Sequence, residues 1–310
     1  SVSFINPEMA MMKNMRPPKL EHGELVDEPC PQIPEAYVAV FVFAASQAGG
    51  AVGTLETIVD RNGGNRIDPD LAEREWDERF SIMHVKRLGP SLIPTEVVVP
   101  LGRLGQALSD IEGSIRLPLV IEGMVAKGAS DPEVVLLGFI PHDERSLAYN
   151  LAFGLSLSAI AKAKRHGGRV YGSGLYFAHE AEDILGHKRI EDLKAFKEAI
   201  DPRDVMNPGK VLGNGGLLGV FMQTAGALEP LVRIAGNLAK APIGERIEGA
   251  GRRGVPDDVA WYAYTCAQCG YCVDPCDQFY GRGWESESPR AKWFFLKEYM
   301  AGRAELTQEW

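Results

Sequence analysis

Four cysteines lie within eleven residues near the carboxy-terminal end of this chain, and this feature constrains the fold more than any other. They are Cys266, Cys269, Cys272 and Cys276, in the spacing C-x2-C-x2-C-x3-C. A tight loop with this spacing directs its first three thiolates at one [4Fe–4S] cubane, as it does in bacterial iron–sulfur proteins. The sequence therefore predicts a small module built around a 4Fe-4S cluster.

The spacing alone leaves two questions about this motif open. In two-cluster proteins the fourth cysteine ligates the other cluster, whose remaining ligands come from a second copy of the motif. The chain has no second copy, so Cys276 either completes this cluster or serves one whose other cysteines lie outside the sequence. Zinc is the alternative metal, although zinc sites normally use two separated pairs of ligands.

Charge and hydropathy exclude several classes of function. The net charge of −9 argues against nucleic-acid binding, because phosphate binding needs clustered Lys and Arg. No apolar run reaches the roughly 18 residues of a membrane span. Residues 215–240 come closest, but Gln223, Glu229 and Arg233 interrupt them and indicate an amphipathic helix, which leaves peripheral membrane contact open. Thiols kept for metal imply a reducing compartment, so the expected location is cytoplasmic, with attachment to the inner face of the membrane as an option.

Composition divides the chain into four parts. Residues 1–34 are rich in Met and Pro and are interpreted as a connecting arm, and residues 35–212 form the main domain. Residues 213–256 are a Gly-rich linker around the amphipathic helix, and residues 257–310 are the α-helical cysteine module. Because the chain begins at Ser1 and ends soon after the last cysteine, we expect the module to be incomplete and the chain to be part of a larger polypeptide or complex.

The main domain shows a β-α-β-β-α-β order. Apolar runs with strand periodicity cover residues 96–99, 117–125, 133–140 and 169–172, and helical periodicity covers residues 101–111 and 145–166. This order predicts an α+β fold, with a ferredoxin-like antiparallel sheet and helices on one face. A further strand at residues 37–45 and helices at residues 52–59 and 69–88 precede it, and the helices of residues 177–200 follow it.

Two sets of motifs resemble known families. The first set resembles the carboxy-terminal domain of FAD-linked oxidases, a family that includes glycolate oxidase and D-lactate dehydrogenase and has a flavin domain of the vanillyl-alcohol-oxidase type. It consists of Trp76-x-x-Arg79, Glu96-Val-Val-Val-Pro100, Gly167-Gly168 and the run from Asp201-Pro202 to Asn207-Pro208-Gly209-Lys210. The second set, in residues 265–292, resembles the ferredoxin-like start of the glycolate-oxidase iron–sulfur subunit and of heterodisulfide-reductase-like proteins.

The resemblance implies a part of an FAD-dependent 2-hydroxy-acid dehydrogenase that passes electrons from flavin to the cluster and on to a quinone or protein carrier. No Gly-rich phosphate loop fits a dinucleotide fingerprint, so FAD would be bound mainly by a portion outside this chain. The implied partners are an FAD-binding domain or subunit, a further iron–sulfur subunit or domain, and a small 2-hydroxy-acid-like substrate.

The family pattern also implies roles for individual residues. Arg79 matches the arginine that holds the substrate carboxylate, and a guanidinium suits that role because its fork binds carboxylate bidentately. The alternative for Arg79 is an ordinary surface ion pair. Asn207 and Lys210 lie in the Asn-Pro-Gly-Lys element that approaches the flavin in the family, and the alternative is a plain turn.

The chain departs from the family where the histidines should be. Metal-dependent members carry a His-x-Gly-Asp-Gly-Asn-x-x-His segment, and the equivalent residues 122–134 hold no histidine. The Glu-His-Gly that follows the double glycine in the family is also missing. A divalent metal is therefore not expected, and His179 beside Glu180 is the candidate base, with a solvated helix turn as the alternative. The rival functions are a non-catalytic electron-relay or assembly subunit and a heterodisulfide-reductase-like enzyme.

Overall fold

The computed structural model describes most of the main domain and the cysteine module. The described residues are 1–15, 19–21, 24–26, 32–79, 82–89, 91–128, 130–172, 177–208, 212, 228–239, 251–305 and 307. The strands within them are β1 (Val2–Ile5), β2 (Lys19–Glu21), β3 (Glu24–Val26), β4 (Val38–Phe41), β5 (Ser91–Pro94), β6 (Val97–Pro100), β7 (Val120–Lys127), β8 (Pro132–His142) and β9 (Arg169–Val170).

The α-helices of the described residues follow the same chain order. They are α1 (Pro7–Asn14), α2 (Ala48–Arg61), α3 (Pro69–Asp77), α4 (Leu104–Ser114), α5 (Leu147–Ala152), α6 (Gly154–Arg165), α7 (Ala181–Leu185), α8 (His187–Ile200), α9 (Glu229–Leu238), α10 (Asp257–Thr265), α11 (Asp277–Arg282) and α12 (Pro289–Met300).

One antiparallel sheet organises the main domain. Its strand order is β4-β1-β7-β8-β6-β9, and β5 pairs with β8 off this path. Strands β6, β7, β8 and β9 are the four strands of the predicted pattern, and they lie in the spatial order second-third-first-fourth. That is the ferredoxin-like arrangement, so the mixed α+β prediction for this domain is confirmed.

Helices α4 and α6 cover one face of this sheet. Their apolar residues recur at helical spacing, and the strands present every second side chain to them. The core includes Val97, Val99, Ile111, Ile121, Val134, Leu136, Leu155 and Ile160, all nearly or fully buried. Burial of this shared apolar surface is what holds the helices on the sheet.

The amino-terminal residues correct the prediction of a connecting arm for residues 1–34. Strand β1 is inserted between β4 and β7, and α1 buries Met9 and Met12 to 1% exposure each. The side chain of Asn6 caps α1 by accepting from the Met9 amide at 3.1 Å, and Pro7 occupies the first turn. This Asn-Pro pair is a helix-start signal that composition alone concealed.

Truncation of Met12 tests whether α1 belongs to the core. We expect Met12→Ala to lower the free energy of unfolding by about 2–5 kcal/mol, because it removes a fully buried side chain and leaves a cavity. Met83→Ala is the matched control: Met83 is 42% exposed, so its loss should change stability by less than about 0.5 kcal/mol. Equal effects of the two changes in urea unfolding would contradict the placement of α1 in the core.

Two predicted helices differ in their bounds. The helix predicted at residues 69–88 ends at Asp77, a 3-10 turn follows at Ile82–Arg87, and β5 comes before β6. The helix predicted at residues 145–166 is divided into α5 and α6, and the side chain of Ser146 caps α5. At the start of α6 a Cβ on Gly154 would lie 2.0 Å from Val232 of α9, so the close approach of α9 requires glycine there.

Part of the predicted linker packs on the main domain. Helix α9 confirms the amphipathic helix over part of its predicted range, and it contacts α5 and α6. The Ser158 hydroxyl donates to Glu229 at 2.6 Å, and the amide side chain of Asn237 donates to the Ser114 carbonyl at 2.8 Å. Residues 228–239 therefore belong to the main domain rather than to a free connection. Within the described residues no helix is long and apolar enough to cross a membrane.

Candidate functional site

The second face of the sheet, opposite α4 and α6, carries an unusual row of side chains. On β7 and β8, Glu122 pairs with Leu137. The registers of β6 with β8 and with β9 place Glu96 beside Leu137 on one side and beside Tyr171 on the other. The Tyr171 amide donates to the Glu96 carbonyl at 3.2 Å. Four neighbouring strands thus contribute one residue each to this row, which we call the second-face row.

Alternation along the strands fixes the direction in which the second-face row points. On three of the strands the adjacent residue lies in the core between the sheet and helices α4 and α6: Val97, Leu136 and Val170. Successive residues of a strand point to opposite faces, so the row points away from those helices. Among the described residues, α1 and the Ile82–Arg87 turn cover one end of this face near the row. Glu96, Leu137 and Glu122 are half-buried, and Tyr171 is 48% exposed.

Two carboxylates of this row are partly desolvated. Burial raises the pKa of Glu96 above its usual range, and no other cause contributes. Burial also raises the pKa of Glu122, Glu75 raises it further, and Lys13 opposes both. Because β8 separates their strands, the two glutamates are about 10 Å apart, or two interstrand spacings.

A buried ion pair lies beside Glu122. Lys13 of α1 donates to Glu75 of α3, and Glu75 is only 8% exposed. The second carboxylate oxygen of Glu75 is buried and has no hydrogen-bond partner among the described residues. This pair joins α1 and α3 over β7, so Glu122 belongs to a structural charge cluster as well as to the second-face row.

Arg79 follows α3 rather than lying within it. Its guanidinium is 4.0 Å from the ring centroid of Trp76 and donates to the Trp76 carbonyl at 2.5 Å. Arg79 is exposed, and it lies four residues beyond the buried Glu75 that anchors α3 next to Glu122. Helix α3 therefore brings Arg79 to the side of the domain where the second face begins.

The other predicted residues lie elsewhere in the domain. His179 is in the 3-10 turn before α7, where its Nε2 is 3.6 Å from Glu180. Glu180 accepts from Lys164 at 2.5 Å. This cluster joins the end of α6 to α7, which gives His179 a neighbouring carboxylate but places it outside the second-face row.

Asn207 lies in a turn organised by Asp201. Asp201 accepts from Lys197 at 2.6 Å and from the amides of Val205 and Met206. These bonds, led by the one from Lys197, lower the pKa of Asp201 to about 2. Asn207 is exposed with φ +51°, a left-handed conformation that Asn tolerates. Lys210 lies outside the described residues.

The family segment that lacks histidines forms the hairpin of β7 and β8. The last residue pair of this hairpin before its turn is Lys127 with Pro132. Of the histidines whose side chains are described, none lies in the second-face row. His142 is fully buried on the helix side, and the others contact Asp110, Glu180 or Glu182: His166, His179 and His187. Sequence reasoning assigned no role to Glu96 or Glu122, although Glu96 begins the Glu96-Val-Val-Val-Pro100 motif.

The four cysteines of the C-x2-C-x2-C-x3-C motif are free thiols on one loop between α10 and α11. The loop turns through left-handed residues at Gln268 (φ +56°) and Gly270 (φ +86°). The Gln268 amide lies 3.4 Å from the Cys266 sulfur. In the part of the chain that the structure describes, no three His, Cys, Asp or Glu side chains are placed to hold a metal ion.

Basic residues surround this loop and attach it to the main domain. Arg290 donates to the Gln268 carbonyl at 3.3 Å, and a hydrogen bond to Glu285, with Cys272 and Cys269 nearby, raises its pKa. Lys86 donates to the Cys266 carbonyl at 3.4 Å. At the same junction Arg145 lies over the ring of Tyr264 at 4.2 Å.

A surface cavity of about 330 Å³ lies next to the cysteine loop rather than on the second face. Its lining comes from the cysteine module: Gln268, Glu285, Ser286, Arg290, Ala291, Phe294 and Phe295. The described residues thus contain two separate regions of interest, the second face of the sheet and the cysteine loop with its cavity.

Comparison with known proteins gives the family of the domain that contains the second face. Residues 6–211 match the family described as FAD linked oxidases, C-terminal domain. The chain is 28% identical over 171 residues to a probable D-lactate dehydrogenase, mitochondrial, from Danio rerio, in an alignment that covers 52% of this chain and 34% of that protein. The chain therefore spans about a third of the length of this relative. The family match ends before the cysteine module, whose resemblance to iron–sulfur proteins stays a prediction.

Proposed function

The chain belongs to the family of FAD-linked oxidase carboxy-terminal domains, and we propose that it is the substrate-cap portion of a flavin-dependent 2-hydroxy-acid dehydrogenase of glycolate or D-lactate type. The observation that carries this proposal is the second-face row. A half-buried, partly polar row on one face of an antiparallel sheet can form one wall of a site for a flat ring and a small acid. The D-lactate relative supports the class of substrate.

The residues of the second face fit the ring of a flavin better than its phosphates. Leu137 offers an apolar contact and Tyr171 an aromatic one, whereas the row presents two carboxylates that would repel pyrophosphate. An FAD-binding domain or subunit outside this chain would therefore hold the phosphates. Asn207, in the turn after α8, is proposed to approach the flavin, and Lys210 is proposed to contribute with it. When bound, the flavin supplies the hydride-accepting chemistry.

Arg79 is proposed to bind the carboxylate of the substrate. Its guanidinium lies over Trp76, which holds it by a cation–π contact. Arg–carboxylate pairs combine charge with a fixed fork geometry, so they orient a small acid as well as bind it. His179 is proposed as a proton-transfer group, because the carboxylate of Glu180 lies 3.6 Å from its Nε2.

The cysteine module is proposed to hold a 4Fe-4S cluster that carries electrons away one at a time. The support for this proposal is the C-x2-C-x2-C-x3-C spacing, which is that of 4Fe-4S ligation, and the four cysteines share one loop. Electrons would pass to a quinone or protein carrier, through a further iron–sulfur subunit or domain. The proposed location is the cytoplasm, because cluster thiolates require a reducing compartment.

Substrate-dependent bleaching of the flavin tests this function. The complete FAD-containing protein is mixed anaerobically with glycolate, D-lactate, L-lactate or acetate, and the flavin absorbance is followed. We expect bleaching by at least one 2-hydroxy acid and none by acetate, which has no hydroxyl group to oxidise. If dithionite bleached the flavin and no 2-hydroxy acid did, the proposal would fail.

The main alternative is a non-catalytic electron-relay or assembly subunit. It is favoured by the loss of the histidine in the Glu-His-Gly element that follows the double glycine in the family. A heterodisulfide-reductase-like enzyme is the second alternative, supported by the resemblance of residues 265–292. A protein whose flavin is bleached only by dithionite supports the relay, and reoxidation of the reduced protein by a disulfide supports the reductase.

A further inference from the structure

Glu96 is an acidic residue at a position in the sheet where apolar residues are usual. It immediately precedes β6, which lies between β8 and β9, and the three valines that follow it are all buried. Interior strands favour β-branched and aromatic residues, and acidic residues are depleted there. Glu96 is nevertheless half-buried, and among the described residues no hydrogen bond or ion pair involves its carboxylate.

Other buried carboxylates of the described chain have partners. Asp143 binds Arg145, Asp201 binds Lys197, and Glu229 accepts from both Ser158 and Arg233. A desolvated carboxylate without a partner costs free energy, and the protein reduces this cost by holding the proton more tightly. The fold gains no stability from Glu96, and an unpaired, desolvated acid is a common mark of a functional group.

The neighbours of Glu96 place its carboxylate within the proposed site. Residues that are paired across neighbouring strands have Cβ atoms about 4.5–5.5 Å apart. The side chain of Glu96 therefore lies next to those of Leu137 and Tyr171 on the second face. Glu122 is the only other acid of the second-face row, and it shares its surroundings with Lys13 and Glu75 of α1 and α3. Glu96 is therefore the acid of the row that is free of a structural charge cluster.

We propose that Glu96 is the general base that accepts the hydroxyl proton of the 2-hydroxy acid. The proposal rests on the proposed function. As the hydroxyl O–H bond breaks, its proton goes to the Glu96 carboxylate and its electron pair forms the C=O bond. The hydride leaves Cα for the oxidised flavin, which takes up two electrons. A 2-oxo acid is the product, and the base replaces the histidine that this chain lacks.

A raised proton affinity suits this role. A carboxylate with the ordinary glutamate pKa is a weak base, whereas efficient proton transfer needs a base whose pKa approaches the working pH. Burial moves Glu96 in that direction. The same shift predicts that the reaction slows as the pH falls through the raised pKa, because the protonated acid can no longer accept a proton.

Glu96→Gln in the FAD-containing protein tests the proposal, since glutamine has the same shape and cannot accept the proton. We expect the rate of flavin bleaching in a single turnover to fall by about 10²- to 10⁴-fold. The dissociation constant of the 2-hydroxy acid should change by less than about threefold, since binding is assigned to Arg79. Glu96→Asp should restore part of the rate. The control Glu56→Gln changes an exposed glutamate of α2 and should keep the wild-type rate.

The protonation state can be measured without turnover. In infrared difference spectra recorded as a function of pH, substrate-free Glu122→Gln should show a protonated-carboxyl band that titrates above the usual glutamate range, and the double variant Glu96→Gln/Glu122→Gln should lack it. Glu122 is replaced in both samples because burial raises the pKa of its carboxyl as well. Glu96→Gln should unfold at no lower temperature than wild type, because the change removes an unpaired desolvated charge. A titrating band that persists in the double variant would overturn the assignment.

The outcomes separate this proposal from the proposed function. If a 2-hydroxy acid bleaches the wild-type flavin and Glu96→Gln at the same rate, Glu96 is not the base and the dehydrogenase proposal stands. If no 2-hydroxy acid bleaches the wild-type flavin, both proposals fail together. Loss of bleaching in Glu96→Gln together with loss of the infrared band, at unchanged substrate affinity, supports both.

Discussion

Serine at position 269 is expected to abolish the iron–sulfur centre. Wild-type protein prepared without oxygen should contain about four iron and four sulfide per chain, and Cys269→Ser should contain little of either. The reason is that the first three thiolates of a C-x2-C-x2-C loop hold one cubane together. Metal and sulfide analysis, with electron paramagnetic resonance after dithionite reduction, measures the loss.

Two further cysteines provide the control and the finer test. Cys30→Ser changes the fifth cysteine, which lies outside the described residues and outside the motif, and should leave the iron content unchanged. Loss of the cluster in Cys276→Ser would assign the fourth ligand to the same cluster, and retention would assign Cys276 to another. A wild-type sample that holds zinc and gives no resonance would contradict the cluster altogether.

Alanine in place of Arg79 is expected to weaken substrate binding strongly. A hydrogen bond to a charged group contributes about 1.5–3 kcal/mol, so kcat/KM for the 2-hydroxy acid should fall roughly 10- to 150-fold. Most of the loss should appear in the dissociation constant measured from flavin bleaching. The flavin content should not change, because the cofactor is assigned mainly to another portion of the protein.

Arg79→Lys and Arg66→Ala complete this test. Lysine keeps the charge but not the fork, so Arg79→Lys should recover only part of the affinity. Arg66 is exposed and paired with Glu56 at 2.9 Å, and its removal should leave binding as in wild type. If Arg79→Ala bound the 2-hydroxy acid with wild-type affinity, Arg79 would be a surface residue stacked on Trp76 with no role in substrate binding.

The core of the main domain could be predicted because its signals are local. The strands β6, β7 and β8 are short apolar runs rich in β-branched residues, and α4 repeats its apolar residues at helical spacing. Ser288-Pro289 is a local start signal for α12, where the Ser288 hydroxyl accepts from the Ala291 amide. Capping and periodicity act over a few residues, so they can be recognised without the rest of the chain.

The elements that were missed depend on distant partners. Strand β1 has only four residues, and it is a strand because β4 and β7 pair with it on both sides. Helix α3 ends eleven residues earlier than predicted, before the Ile82–Arg87 turn that packs on α1. Arg79 is therefore held by Trp76 beyond the helix instead of by a helical neighbour. Such outcomes follow from tertiary packing, which overrides local propensity.

The sequence by itself determined the cysteine loop, the β-α-β-β-α-β order and the family, since each resides in spacing or pattern along the chain. Only the tertiary structure decided that Glu96 lies beside Leu137 and Tyr171 on the face that α4 and α6 leave uncovered. The physical reason is that hydrogen bonds between strands distant in sequence set the register of a sheet, and a shift of one residue would turn Glu96 into the core. The acid that carries the proposed chemistry is thus identified by its place in the sheet.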